Sequence, residues 1–251
     1  MMMMGLLSHD LTLLNFDDTY LLQQKLADCA DEWIDLADIP EANLFCAKSA
    51  MAEISHRLSG RTGRGLTFIG NGNYHYVSYL LLSEINRPFS LVLFDNHTDA
   101  KPTRQRAGLL SCGSWVAEAA AGFSHLQQVV IVGANADGSL YPPDLKGKIV
   151  LLPGAGDLQA LLSAIPNGDV YISVDKDVLD RSFAVTNWDH GNMHLRELLA
   201  ALQALVRQRN VLGIDVCGEL PVTPADVWHH TDELRLNERA NLAILESVLY
   251  A

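Results

Sequence analysis

No CxxC pair occurs among the four cysteines, Cys29, Cys46, Cys112 and Cys217. Their scatter argues against a disulfide framework and for reduced thiols in a cytosolic protein. Positive charge is also short, with 18 Lys and Arg against 30 Asp and Glu and a formal net charge of -12. A nucleic-acid partner needs a basic face, so that class is excluded. No apolar run reaches the roughly 18 residues a membrane helix needs, so no membrane partner is expected. The opening MMMMGLLSHD has no basic segment and meets Asp10 quickly, which makes it a poor signal peptide. A cytoplasmic location is the expectation. There is no Ser/Pro-rich linker, low-complexity tract or internal repeat. One domain over residues 1–251 is expected, and the segment through about Leu58 is the least clear. It reads either as a partly helical N-terminal extension or as the first β/α units.

Hydrophobic residues make up 49% of the chain and charged residues 19%, enough for a sizeable core. Short apolar runs alternate with longer amphipathic stretches. The runs predict strands at Leu11–Asn15, Leu66–Gly70, Ser90–Asp95, Gln128–Val132, Lys148–Leu152, Asp169–Asp175 and Asn210–Val216. Helices are predicted at Leu21–Leu36, Leu44–Leu58, Tyr74–Ile85, Gly113–Ala121, Asp157–Ile165, Leu195–Arg207 and Asp232–Leu249, the last capped by Thr231 or Asp232. Runs such as SLVLFD and VYISVD are apolar on both faces, as in a parallel sheet covered by helices. The pattern is α/β, with right-handed βαβ units.

Three short segments carry the chemistry. Asp95, His97 and Asp99 alternate directly after an apolar strand, so in extended chain they point to one side. Asp175 and Asp177 repeat the pattern after another strand, and ligands of open α/β sheets bind at the carboxyl ends of strands. The third, Gly70-Asn71-Gly72-Asn73-Tyr74-His75, runs from a strand into a helix and would place His75 in its first turn. Either group alone could be a loop of exposed acids. Together, four carboxylates in one cleft would repel and shift their pKa values upward. Divalent cations remove that repulsion, and oxygen-rich ligands with two imidazoles suit manganese better than a closed structural zinc site.

The order and spacing of these segments resemble the arginase–agmatinase (ureohydrolase) family, over roughly Leu66 to Pro221. Asp180 resembles the last Asp of that family's SxDxDxxD pattern, and Val211 to Val216 its penultimate strand. The resemblance implies a three-layer α/β/α fold with a central, mainly parallel sheet. It also implies two Mn2+ ions, one held by His75, Asp95, Asp99 and Asp175 and the other by Asp95, His97, Asp175 and Asp177. A hydroxide between the ions would attack a guanidinium-type carbon, with Asp99 accepting its hydrogen bond. The chain departs from the pattern at three places. Tyr74 stands where the family has Asp, Cys112 where it has a His proton shuttle, and Gly218 where a Glu grips the guanidinium, with Glu219 one step along. Cys112 and Glu219 are therefore candidates for catalytic roles, and a buried structural thiol is the alternative for Cys112. Trp115 and Trp188 could wall the cleft, as could Asp189 and His190. His229 and His230 read as surface or cap residues.

The expected activity is metal-dependent hydrolysis of a linear C–N bond in a small-molecule substrate, with homo-oligomerisation left open. Two alternatives are a single-metal amide hydrolase resembling the deacetylases, and a catalytically silent or novel-substrate metal-binding member of the fold.

Overall fold

A computed structural model of the chain describes residues 5–102, 109–134, 142–166, 168–223 and 225–251. Met1 to Met4 of the opening segment lie outside the described residues. The strands are β1 (Gly5–Leu6), β2 (Leu11–Asn15), β3 (Glu32–Asp35), β4 (Phe45–Cys46), β5 (Leu66–Asn71), β6 (Phe89–Phe94), β7 (Leu110–Ser111), β8 (Leu126–Val132), β9 (Ile149–Leu152), β10 (Asp169–Asp175) and β11 (Asn210–Glu219). The helices are α1 (Gln24–Ala27), α2 (Lys48–Ser59), α3 (Val77–Ser83), α4 (Trp115–Gly122), α5 (Leu158–Ser163), α6 (Leu195–Gln208) and α7 (Thr231–Leu249).

Nine strands form one sheet in the order β3-β2-β5-β11-β10-β6-β8-β9, with β1 added against β11. Every pairing in it is parallel. Alternation along the strands divides the core into two layers. Leu91 and Leu93 of β6 and Tyr171 of β10 pack with α2, α3 and α4. Val92, Phe94, Val170, Ile172 and Val174 pack with α5, α6 and α7 on the opposite face. The α/β fold with helices on both faces agrees with the sequence reading. Asp175 and Ser173 share the phase of Tyr171, and so belong to the α2–α4 side.

The N-terminal segment differs from its prediction. Where one helix was expected at Leu21–Leu36, a 3-10 turn at Thr19–Leu22 leads into the four-residue α1 and then into β3. β3 pairs with β2 in register from Thr12↔Glu32 to Asn15↔Asp35. The open edge of the sheet supplies backbone partners that local helix propensity cannot match. The segment is therefore β/α units of the sheet, not an extension laid upon it. The helix expected from Leu44 starts at Lys48, because Phe45 and Cys46 pair antiparallel with Ser111 and Leu110. The cap of α7 also differs: His230 occupies the N-cap position without a side-chain cap bond, and Thr231 Oγ1 donates to the Val227 carbonyl. No helix among the described residues is long and apolar enough to cross a membrane.

Candidate metal centre

The carboxyl ends of four neighbouring strands, β5, β11, β10 and β6, converge on one place. All six residues singled out by spacing meet there. His75 Nδ1 lies 3.0 Å from Asp99 Oδ2 and 3.4 Å from both Asp95 Oδ2 and Asp175 Oδ2. His97 Nδ1 lies 2.8 Å from Asp177 Oδ2 and 3.5 Å from Asp95 Oδ1. His75 is not in the first turn of α3. It follows a 3-10 turn at Gly72–Tyr74 that the Asn71 side chain caps by accepting from the Asn73 N–H.

Backbone N–H groups orient the acids. Asp95 Oδ1 accepts from the His97 N–H at 2.6 Å, Asp175 Oδ1 from the Asp177 N–H at 3.0 Å, and Asp177 Oδ1 from the Asn96 N–H at 3.0 Å. One oxygen of each carboxylate is thereby pinned and the other is turned inward. His75 is oriented from behind. Ser173 Oγ donates to Asp215 Oδ1 at 2.6 Å, so it is free to accept from His75 Nε2 at 3.0 Å. That chain assigns a proton to Nε2 and turns Nδ1 toward the carboxylates. Asp99 sits at φ 47°, a left-handed conformation that Asp tolerates better than most residues. The Trp115 indole N–H donates to its Oδ2 at 2.8 Å, and the Val116 N–H to its carbonyl at 3.0 Å. Trp115, expected only as a wall, positions an acid.

Three inward atoms, His75 Nδ1, Asp95 Oδ2 and Asp177 Oδ2, are buried without a hydrogen-bond partner. Buried polar atoms are ordinarily paired, so three of them converging in one place fit a cation-binding site. Ligand atoms of His75, Asp95 and Asp99, and those of Asp95, His97 and Asp177, each fall within 4.8 Å of one another. The residues fit metal, and their titration shows the strain of crowding. Burial, then Asp99 and Asp177, raises the Asp95 carboxyl well above its usual range. Burial and Asp177 push Asp175 up to about 6, against a lowering influence of His75. Burial opposes the charge on His75, yet Asp99, Asp175 and Asp95 together carry it up to about 10. The Asp177 and Asp95 carboxylates lift His97 to about 11.

A cavity of about 450 Å³ opens onto the cluster. Its walls include Leu44 and Phe45 at β4, Leu109, Ser111 and Cys112 around β7, and Lys101 and Trp188. The β4–β7 ribbon that builds one wall was not foreseen, because two-residue strands leave no periodicity to read. Trp188 stands edge-on to His97 at 5.8 Å between ring centroids, and its indole N–H donates to Asn73 Oδ1. Gly72 allows this closure, since a Cβ there would meet Trp188 Cδ1 at 2.8 Å. Cys112 lines the cavity. Burial, then Asp99 and Asp175, pushes its thiol up to about 12, so in the metal-free protein it is a neutral thiol.

Glu219 is placed elsewhere. It is fully buried, pairs with Lys176 Nζ, and accepts from Gln23, Asn237 and Asn241. The cause is Gly218 at φ 91° in a bulge against β5, which breaks the alternation and turns Glu219 toward α7. Cys217, which drew no attention in the sequence, faces the cluster instead and donates to Asp175 Oδ2 at 3.2 Å. Asp180 is exposed and closes a turn onto Ser182. His190 holds the Leu179 carbonyl, and the Asp189 carbonyl accepts from Asn96. His229 and His230 stand at the start of α7, outside the cluster.

The sequence profile described as the Arginase family matches residues 8–224. A protein of Thermotoga maritima described as uncharacterized is 31% identical over 238 residues, covering 95% of this chain and 89% of its own. Two solved structures share the fold. A hypothetical agmatinase from Burkholderia thailandensis is 21% identical with a TM-score of 0.66, over 96% of this chain and 85% of its own. The proclavaminate amidino hydrolase of Streptomyces clavuligerus is 17% identical with a TM-score of 0.67, over 98% and 93%. With the profile covering most of the chain and ligand groups standing where the spacing put them, the chain belongs to the arginase family.

Proposed function

We propose that this chain, acting as one ureohydrolase-like unit, hydrolyses a linear, amidine-type C–N bond with the help of two divalent cations, manganese being the ion the resemblance implies. One observation carries the reading: three carboxylates are pinned by backbone N–H groups so that their second oxygens face two imidazoles. His75, Asp95, Asp99 and Asp175 would hold one ion, and Asp95, His97, Asp175 and Asp177 the other. When bound, such ions supply a nucleophilic water at neutral pH and polarise the carbon to be attacked. Asp99, held by Trp115, would accept a hydrogen bond from that nucleophile. Trp188 and the β4–β7 ribbon would exclude bulk solvent from the reacting bond.

The charged groups that line the cavity among the described residues are the ligands His97, Asp99, Asp175 and Asp177, and Lys101. Among the described residues a guanidinium finds no carboxylate here beyond the ligands, since Glu219 is committed to Lys176. Lys101 suits a substrate whose far end is anionic. The single-metal amide hydrolase is not favoured, because two imidazole-centred ligand groups share Asp95.

The test is metal analysis of chelator-free protein together with an assay of manganese-loaded enzyme. About two ions per chain are expected, and Asp95→Ala and Asp175→Ala should each sharply reduce them. Arginine, agmatine, guanidinobutyrate and formiminoglutamate are then assayed for urea or ammonia, and formiminoglutamate should be the best of the four. Unchanged metal content in both variants would sink the assignment. Turnover of none of the four would favour a silent or novel-substrate member.

A further inference from the structure

The proposed centre contains one side chain that the spacing argument did not supply. Cys217 sits on β11 directly beside Asp175 of β10 in the pairing register. Its side chain is fully buried and belongs to the α2–α4 side of the sheet, where His75 enters. Sγ lies 3.2 Å from Asp175 Oδ2, and that oxygen lies 3.4 Å from His75 Nδ1. Ligand atoms of His75, Asp175 and Cys217 all fall within 4.8 Å of one another. His75 Nδ1, which this triangle shares with the His75, Asp95 and Asp99 group, is buried without a hydrogen-bond partner and faces a ligand position.

The dimensions match a coordination shell. An ion with a bond of about 2.1 Å to nitrogen or oxygen and about 2.3 Å to sulfur separates neighbouring N and O donors by about 3.0–3.4 Å and O and S donors by about 3.1–3.6 Å, from octahedral to tetrahedral angles. The observed separations lie within a few tenths of an ångström of both. The local chain is built for the approach. Gly218 follows at φ 91°, where a Cβ would meet Asp175 Oδ1 at 2.5 Å. The bulge that removes Glu219 from the cluster also leaves Cys217 in it.

Building on the metal reading above, we infer that Cys217 is a direct ligand of the ion held by His75 and Asp175, and that this subsite prefers a borderline-soft dication of the zinc, iron(II) or cobalt(II) class over manganese. The thiol ligates as thiolate, and its proton leaves to solvent as the metal binds. Thiolate ligands favour softer ions, whereas the second subsite, of Asp95, His97 and Asp177, offers only nitrogen and oxygen. The two subsites therefore differ in metal preference within one centre.

Full-length protein is stripped with chelator under reductant and titrated anaerobically with cobalt(II). A sulfur-to-cobalt charge-transfer band in the near ultraviolet should grow with the visible ligand-field bands, in wild type and in Cys112→Ser, which removes the other cavity thiol. In Cys217→Ser the charge-transfer band should vanish while the ligand-field bands remain. In equimolar zinc and manganese, the bound zinc-to-manganese ratio should fall at least tenfold in that variant relative to wild type. Cobalt bound to wild type without the charge-transfer band, or a band that survives Cys217→Ser, overturns the ligand assignment and leaves the metal centre standing. No cobalt bound at all overturns both. If Cys217→Ser does not fold, X-ray absorption of zinc-loaded Cys112→Ser decides. A sulfur neighbour at about 2.3 Å supports the assignment, and a shell of nitrogen and oxygen alone refutes it.

Discussion

Metal binding to this cluster must expel protons, and the number follows from the geometry. In the metal-free protein His75 titrates at about 10 and His97 at about 11, because each ring faces two or more carboxylates. At pH 7.5 both imidazoles are therefore charged. A metal ligand must be neutral, so each histidine that binds releases one proton, and apparent affinity falls about tenfold per histidine for each pH unit below its pKa. With both rings, the logarithm of the affinity should rise by about two for each pH unit between roughly 6.5 and 9. Below about 6 the protonation of Asp175 steepens the loss further. Calorimetric titration of manganese into stripped protein, repeated in buffers of different ionisation enthalpy, counts the protons. About two per chain are expected from the imidazoles at pH 7.5, with one more wherever the Cys217 thiol binds the ion as thiolate, and His75→Ala and His97→Ala should each remove about one. Zero release would refute the argument, because neutral rings without metal would mean that the carboxylates do not crowd them. The same shifts act on stability with a definite sign. Raised histidine pKa values stabilise the metal-free fold fully below the unfolded value near 6.5, and that contribution is lost as pH climbs through 10 to 11. Stripped protein should thus lose melting temperature toward pH 10 more steeply than metal-loaded protein.

Three further outcomes follow from single contacts. Trp115→Phe removes the N–H that holds Asp99 Oδ2 and should weaken metal binding or lower kcat by about tenfold or more; unchanged metal affinity and kcat would show that Asp99 is held by its backbone alone. Gly218→Ala places a methyl 2.7 Å from the Lys176 backbone N as well as against Asp175, at a φ that L-residues rarely adopt. Metal content measured by mass spectrometry should drop, and full occupancy would mean that the bulge relaxes. Lys101→Ala should raise KM several-fold for substrates with a distant carboxylate and leave kcat near wild type, since the side chain lines the mouth and not the cluster; equal KM values would remove Lys101 from substrate recognition.

The sheet was legible because its strands are buried on both faces and read as unbroken apolar runs. Asp169–Asp175 was located to the residue, and five of the six proposed metal ligands followed from alternation at the strand ends, His75 being the exception. What escaped was set by tertiary context. β3 depends on an edge offered by β2, so local pattern read Leu21–Leu36 as helix. The β4–β7 ribbon depends on a pairing across some sixty residues of chain. Simple alternation from Asp215 gives Cys217 and Glu219 one face, and the structure separates them at Gly218. A glycine inside an otherwise apolar strand was the one signal of that bulge.

The same bulge gives Glu219 a partner inside the Asp175-Lys176-Asp177 segment, a pairing the sequence does not suggest. Lys176 lies between two proposed ligands, in the middle of Asp175-Lys176-Asp177, and is fully buried on the α7 side of the sheet. A lone ammonium there would be prohibitive, and so would a lone Glu219. Each makes the other tolerable, and Gln23, Asn237 and Asn241 complete the network. Lys176→Met alone should therefore destabilise the protein by about 3–5 kcal/mol, because it strands a buried carboxylate. Lys176→Met with Glu219→Gln should recover most of that loss, since a neutral amide still bonds to the asparagines. Thermal unfolding of both variants and of Glu219→Gln alone closes the cycle. A double variant no more stable than Lys176→Met would show that the two residues are not a pair. Glu219 would then lack the partner that keeps it out of the cavity, and the case against guanidinium recognition would lose its footing.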